Sequence, residues 1–135
     1  VNIGFVGLGK LGMDAAEVFA EHHTVRGYDI VPRSSDTVQV CDIQQVIQLS
    51  DWIFIAVPTP HAAEYDGSLP TSHLPPKNFL YDAVQQALVK VNHYATTAKH
   101  VVLISTVLPG TCRQQLAGLL NEQHSFVYNP YLIAM

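Results

Sequence analysis

Three glycines, Gly7, Gly9 and Gly12, interrupt the chain just after a short apolar run at residues 1–6. With Leu8, Lys10 and Leu11 they form a G-x-G-x-x-G turn, and a helical pattern over residues 13–22 follows. An acid, Asp29, closes the next apolar run, residues 24–28, about 20 residues past the glycines. Strand, glycine turn, helix, and a strand ending in an acid are the parts that hold a dinucleotide. Gly7 permits the tight turn, Gly9 lets backbone approach a pyrophosphate, and Gly12 lets the helix lie close to the strand. The unpaired N–H groups at the helix start face the phosphates. A carboxylate at Asp29 accepts hydrogen bonds from ribose hydroxyls and repels a 2′-phosphate, which favours NAD over NADP. Arg33 pulls the other way, because an arginine just past this strand can hold that phosphate; it also reads as a solvated loop residue or a cation over the adenine.

Other polar groups fall at the ends of later apolar runs. Val57-Pro58-Thr59-Pro60 ends one, and Ser105-Thr106-Val107-Leu108-Pro109-Gly110 ends another. Ligands in open α/β sheets bind at strand carboxyl ends, so the hydroxyls of Thr59, Ser105 and Thr106 are expected near the cofactor. The alternative is that Thr59 and Thr106 only satisfy backbone groups at the strand ends. Cys112 falls in the first turn of an expected helix, where a dipole lowers a thiol pKa, but no His or Lys is placed to activate it. Cys112 and Cys41 are therefore read as small packed residues. The seven histidines show no metal-ligand pairing, so no metal is expected. His61 and His73, in a long loop, read as exposed.

The elements that must position these groups alternate between strand and helix patterns. Residues 38–40 read as a short strand. Asp42 reads as the N-cap of a brief helix through Leu49, with Val46 and Leu49 inward. Residues 52–57 and 101–105 are apolar throughout, as strands covered on both faces are. Residues 61–77, with Asp66-Gly67, Pro70, Pro75 and Pro76, form a long loop. Residues 78–95 predict a helix burying Leu80, Val84, Ala87, Leu88 and Val91. Thr111 is expected to cap a helix over 111–123, with Leu116, Leu119 and Leu120 inward, and residues 125–128 predict a last strand. The predicted fold is a Rossmann-type, doubly wound parallel sheet of about six strands with helices on both faces.

The bulk composition excludes several classes. A net charge of −4 with no cluster of Lys and Arg argues against nucleic acid. No apolar run approaches the length that spans a membrane, and no signal peptide pattern is present. Two cysteines make no disulfide framework, which leaves a reducing cytoplasm as the expected location. Charged residues are only 13% of the chain, where about a quarter is usual, so part of the surface is expected to be covered by another domain or subunit.

Taken in order, Gly7-Leu8-Gly9-Lys10-Leu11-Gly12, Asp29, Val57-Pro58-Thr59-Pro60, Asp66-Gly67, Ser105-Thr106-Val107-Leu108-Pro109-Gly110-Thr111 and Tyr128-Asn129-Pro130 resemble the N-terminal NAD-binding domain of the UDP-glucose/GDP-mannose dehydrogenases. The resemblance covers essentially the whole chain. It implies NAD-dependent oxidation of the C6 alcohol of a nucleotide-linked sugar to a carboxylate, through an aldehyde captured by a cysteine thiolate. It places Thr59 and Thr106 at the NAD site, with Thr106 near the reacting centre. It also implies that the cysteine and the sugar-binding residues belong to a later domain, so that residues 1–135 are the cofactor half of a longer enzyme that dimerises through segments outside them. A first residue of Val rather than Met fits that expectation. One segment departs from the family pattern N-P-E-F-L-x-E: here Tyr131 and Met135 stand where acids assist thioester hydrolysis. Two rivals remain at this point, a β-hydroxyacid dehydrogenase-type domain and a non-catalytic NAD-binding module.

Overall fold

The computed structural model describes residues 1–131. Six strands form one sheet: β1 Asn2–Val6, β2 Thr24–Tyr28, β3 Gln39–Val40, β4 Trp52–Ile55, β5 His100–Leu103 and β6 Ser125–Tyr128. Their order is β3-β2-β1-β4-β5-β6, and every pairing is parallel. This is the predicted doubly wound sheet, with the change of winding direction between β1 and β4.

Period-two alternation divides the strand side chains between two cores. Ile53, Ile55, Val101 and Leu103 point to one face, where α2 (Ile43–Leu49) and α3 (Asp82–Tyr94) cover them with Val46, Ile47, Val84, Leu88 and Val91. Ile3, Phe5, Phe54 and Val102 point to the other, under α1 (Lys10–Ala20). On that side Phe5 stacks on Phe54 at 5.0 Å between ring centres, and Phe19 of α1 closes over Phe54 at 5.3 Å. Burying side chains of this size contributes roughly 1.5–3 kcal/mol each, so the two apolar layers dominate the stability of the sheet.

Several elements differ from the sequence expectation. The first helix begins at Lys10 rather than at residue 13, so the second half of the glycine turn is itself helical. Asp42 caps α2 as expected, its carboxylate accepting the Gln45 N–H at 2.9 Å. Leu49, expected inward, is exposed; Ile43, Val46 and Ile47 make the buried stripe, and Leu49 falls on the far side of the helix. Leu80 also proves exposed, because it precedes α3 and takes no part in that helix's periodicity; its N–H instead reaches back to the Pro60 carbonyl at 2.8 Å, closing the neck of the long loop. The α-helix expected over residues 111–123 is not formed. Residues Cys112–Leu116 make a wider π-type turn, in which Ala117 N–H bonds the Cys112 carbonyl five residues back, and Ala117–Leu119 tighten into a 3-10 turn. Gly118 inside this stretch lowers helix stability by about 1 kcal/mol relative to alanine. Leu116 and Leu120 still reach the core as predicted.

At the amino ends of the strands, away from the glycine turn, Lys99 is buried. Its ammonium donates to the Ser50 carbonyl at 2.7 Å and the Gln48 carbonyl at 3.1 Å, tying the end of α2 to the start of β5. Its backbone N–H donates to Nδ1 of buried His124 at 3.1 Å, just before β6. Burial, and then the Lys99 charge, push the His124 pKa below its ordinary value. The unfolded chain protonates this imidazole at about 6.5, before the folded chain does, so its stabilising share is complete above that pH and is lost as pH falls toward the folded value. Urea unfolding midpoints should therefore fall between pH 7 and pH 5, and His124→Asn, which keeps an acceptor near the Nδ1 position but does not titrate, should give a shallower fall.

Candidate functional site

The glycine turn links the carboxyl end of β1 to the start of α1. Gly7 has φ +100°, a left-handed conformation that L side chains rarely adopt, and a Cβ there would lie 2.4 Å from the Ala56 carbonyl oxygen. A Cβ on Gly12 would lie 2.2 Å from the Gly7 carbonyl oxygen and 3.2 Å from the Ala56 Cβ, so only glycine lets α1 press against the turn and β4. Gly9 is different: its Cβ would meet nothing within 4 Å. Gly9 is also the N-cap of α1, with no side chain to close it, and the first turn carries no acid. Met13 N–H finds the Gly9 carbonyl at 2.8 Å, while the N–H groups before it precede the intrahelical ladder. The positive end of α1 thus faces open space, an arrangement suited to an anion.

Asp29 fixes this turn from the end of β2. Its Oδ2 accepts the Leu8 N–H at 2.7 Å and its Oδ1 accepts the Val31 N–H at 2.9 Å. The Arg33 guanidinium lies 3.8 Å from Oδ2 and remains partly exposed. Leu8 therefore lies beneath the site: its amide is used by Asp29 and its side chain is buried against Gly27, where a Cβ would come within 2.7 Å of it. A side chain at position 27 would force the Leu8 side chain to shift, a contact that residue spacing alone does not signal.

A cleft of about 310 Å³ opens at this point. Gly7, Gly9, Asp29, Arg33, Val57 and Pro58 line it, with Ile30 and Val31 after β2 and Ala83, Gln86, Ala87 and Lys90 from α3. Of the predicted residues, these first six are brought together. Lys10 is exposed at the helix start, Leu11 lies on the α1 face toward Tyr131, and Gly12 is buried behind the turn. Thr59, Ser105 and Thr106 adjoin the cleft without lining it. Ser105 Oγ donates to the Val57 carbonyl at 2.6 Å, and Thr59 Oγ1 donates to the Thr106 carbonyl at 2.7 Å. These hydroxyls stitch the second and third strand ends to each other, the backbone role weighed above for Thr59. The Thr106 side chain is exposed.

Two tyrosines hold the third strand end: Tyr81, which the sequence reading did not mention, and Tyr128, which it named only within the Tyr128-Asn129-Pro130 motif and gave no role. Tyr81 hydroxyl accepts the Leu108 N–H at 3.1 Å, and Tyr128 hydroxyl accepts the Val107 N–H at 3.3 Å. Thr111 does not cap a helix with its side chain; it is buried with Oγ1 3.4 Å from the Tyr81 hydroxyl. Cys112 correspondingly lies at the start of no α-helix, and burial pushes its thiol pKa up, as it does for Cys41. Both cysteines are packed residues. His61 and His73 are exposed, His61 edge-on to Phe79. Tyr131 packs on the α1 face, where burial raises its phenol pKa further from the range of a general base; Met135 lies outside the described residues. No group of three His, Cys, Asp or Glu side chains able to hold a metal ion occurs among the described residues, and no helix there is long and apolar enough to cross a membrane.

Residues 31–133 match the UDP-glucose/GDP-mannose dehydrogenase family, NAD binding domain. The chain belongs to this family. The matched span begins just past Asp29, so the glycine turn adds evidence independent of it. Among solved structures, the chain is similar to a UDP-glucose dehydrogenase from Pyrobaculum islandicum, at 24% identity and a TM-score of 0.75 over 98% of this chain and 36% of that one. It is similar to a GDP-mannose dehydrogenase from Pseudomonas aeruginosa at 20% identity, with a TM-score of 0.74 over 99% of this chain and 37% of that one. A UDP-D-ManNAc dehydrogenase from Pyrococcus horikoshii gives 22% identity and a TM-score of 0.72, again over 99% and 37%. At these identities the structural likeness establishes the fold. The chain spans little more than a third of the length of these proteins. No curated protein matches it. Membership in the family sets aside the β-hydroxyacid dehydrogenase reading.

The close approach of α1 is testable by itself. Gly12→Ala should destabilise the fold by about 1–3 kcal/mol or more, the range for overpacking, because the clash is with backbone that cannot rotate away. Gly9→Ala should change stability by less than about 1 kcal/mol, since its methyl enters open space. Denaturant unfolding of the two variants checks the contrast.

Proposed function

We propose that the cleft between Asp29, the glycine turn and α3 binds NAD, and that the chain supplies the cofactor half of a nucleotide-sugar 6-dehydrogenase. The observation that carries this is the joint placement of the α1 amino end, open at Gly9, and the Asp29 carboxylate on one cleft. The residues fit the cofactor in three respects. Uncapped N–H groups and an acid-free first turn suit a diphosphate. Asp29 uses one protein N–H per carboxylate oxygen, which leaves lone pairs on both to accept from ribose hydroxyls. Ile30, Val31, Ala83 and Ala87 offer an apolar seat for a base. When bound, NAD supplies the hydride acceptor for oxidation of the sugar alcohol.

The chain's own part is to bind and orient. Gly9, Lys10 and Leu11 hold the diphosphate, Asp29 and Arg33 the adenosine ribose, and Val57, Pro58, Thr59, Ser105 and Thr106 shape the side toward the reacting centre. Thr106, with its exposed hydroxyl, is the residue of this chain proposed to approach the substrate. The thiol pKa values of Cys41 and Cys112 are raised, so the nucleophilic cysteine is assigned to a further domain, which also provides the sugar site and the dimer contacts. The position of Tyr131 on the α1 face favours a hydrolytic base from elsewhere as well.

Calorimetry with the two cofactors tests this. NAD should bind at least about tenfold more tightly than NADP, a difference of about 1.4 kcal/mol. Asp29→Asn retains an acceptor for the Leu8 N–H but loses the charge, and should narrow that gap. Gly9→Ala should keep its fold and lose most of its NAD affinity. Equal binding of both cofactors by the unaltered chain would overturn the role given to Asp29.

A further inference from the structure

Tyr81 is the last residue before α3, and its ring is buried. A phenol hydroxyl has one proton and two acceptor positions. All three are matched here. The hydroxyl donates to Asn78 Oδ1, accepts the Leu108 N–H at 3.1 Å, and lies 3.4 Å from Thr111 Oγ1, a buried hydroxyl able to donate to it. One side chain thereby joins the end of the long loop, the start of α3 and both ends of the 108–111 turn. Val107 anchors the segment in the core, but the Leu108 side chain is exposed, so at the turn itself the hold comes from the hydroxyl. The same segment is held from its other side by Tyr128 at Val107 and by Thr59 at the Thr106 carbonyl. At residues 106, 107 and 108 the contact is to backbone, so there the hold does not depend on the segment's own side chains; at Thr111 it is to the side-chain hydroxyl. Two residues beyond Tyr81, Ala83 begins the row of α3 residues that lines the cleft.

We infer that Tyr81 is a positioning residue that fixes the 106–111 segment to α3, so that a cofactor seated against α3 presents its far half beside Thr106. This rests on the NAD reading above and adds to it a mechanical link between the adenosine half of the cleft and the segment that meets the nicotinamide half. Tyr81→Phe keeps the buried ring and removes only the hydroxyl. It leaves the Leu108 N–H and the Thr111 hydroxyl without their partner, while Asp29, the glycine turn and the α3 lining stay in place.

The test compares AMP, which carries only the adenosine half, with NAD on the unaltered chain and on Tyr81→Phe, alongside amide hydrogen exchange at Leu108. The variant should hold AMP within about twofold of the unaltered chain, bind NAD about fivefold more weakly, and exchange the Leu108 amide faster. A hydroxyl that served stability alone would lower the unfolding midpoint and leave the AMP-to-NAD ratio unchanged, and that result overturns the inference. Should Tyr81→Phe fail to fold, Asn78→Ala carries the same comparison, because it removes the exposed acceptor that orients the phenol. An unaltered chain that binds neither ligand defeats the cofactor reading and this inference with it. One that binds both, with the ratio unmoved in the variant, defeats this inference alone.

Discussion

The hydrogen bond from Leu8 N–H to the Asp29 carboxylate is the constraint on which the site depends. It joins the glycine turn to the end of β2 across 21 residues of sequence, and it does so at 2.7 Å with a charged acceptor, the stronger kind of hydrogen bond. The three glycines have no side chains to hold the turn, and the buried Leu8 side chain anchors it from beneath. Gly7 and Gly12 bring α1 so close to β1 and β4 that no methyl fits, and the carboxylate fixes the Leu8 amide between them. With Leu8 held down, the amino end of α1 points into the cleft. One acid thus sets the shape of the turn and faces the position proposed for the ribose.

The other side of the site is built on a different principle. Around Val57 to Thr59 and Thr106 to Thr111 the backbone is held by hydroxyls from Ser105, Thr59, Tyr81 and Tyr128, each bonded to a main-chain group. Close packing of backbone makes the first half stiff. A network of hydroxyls holds the second half, each bond contributing about 1 kcal/mol. In the proposed arrangement the closely packed part lies at the diphosphate and the hydroxyl-held part lies toward the reacting centre.

The legible part of the sequence was the part governed by local rules. The glycine spacing, Asp29, the Asp42 cap and the apolar strands depend on near neighbours and on period, and all are where the chain pattern puts them. The departures have tertiary causes. Leu80 and Leu49 fit a helical stripe numerically, yet one precedes its helix and the other lies on its outer face. A π-type turn follows Thr111 in place of an α-helix, and the buried Thr111 hydroxyl meets Tyr81 instead of capping the segment. The holding roles of Tyr128, Lys99 and Tyr81 at Leu108 carried no signal, because these partners lie far away in sequence and are backbone groups, which leave no residue-type signature. The contact of Gly27 with the Leu8 side chain was equally silent.

The central claim is that a dinucleotide lies over the amino end of α1 with its adenosine ribose against Asp29. Titrating NAD into the isotopically labelled chain and following each backbone amide by NMR tests it most directly. The account predicts shifts concentrated at Gly9, Lys10, Leu11, Asp29 and Val31 and along the cleft face of α3, with β6 and the Lys99–His124 cluster unmoved. Saturable shifts confined to any other surface, with the Gly9 and Lys10 amides unchanged, would contradict it.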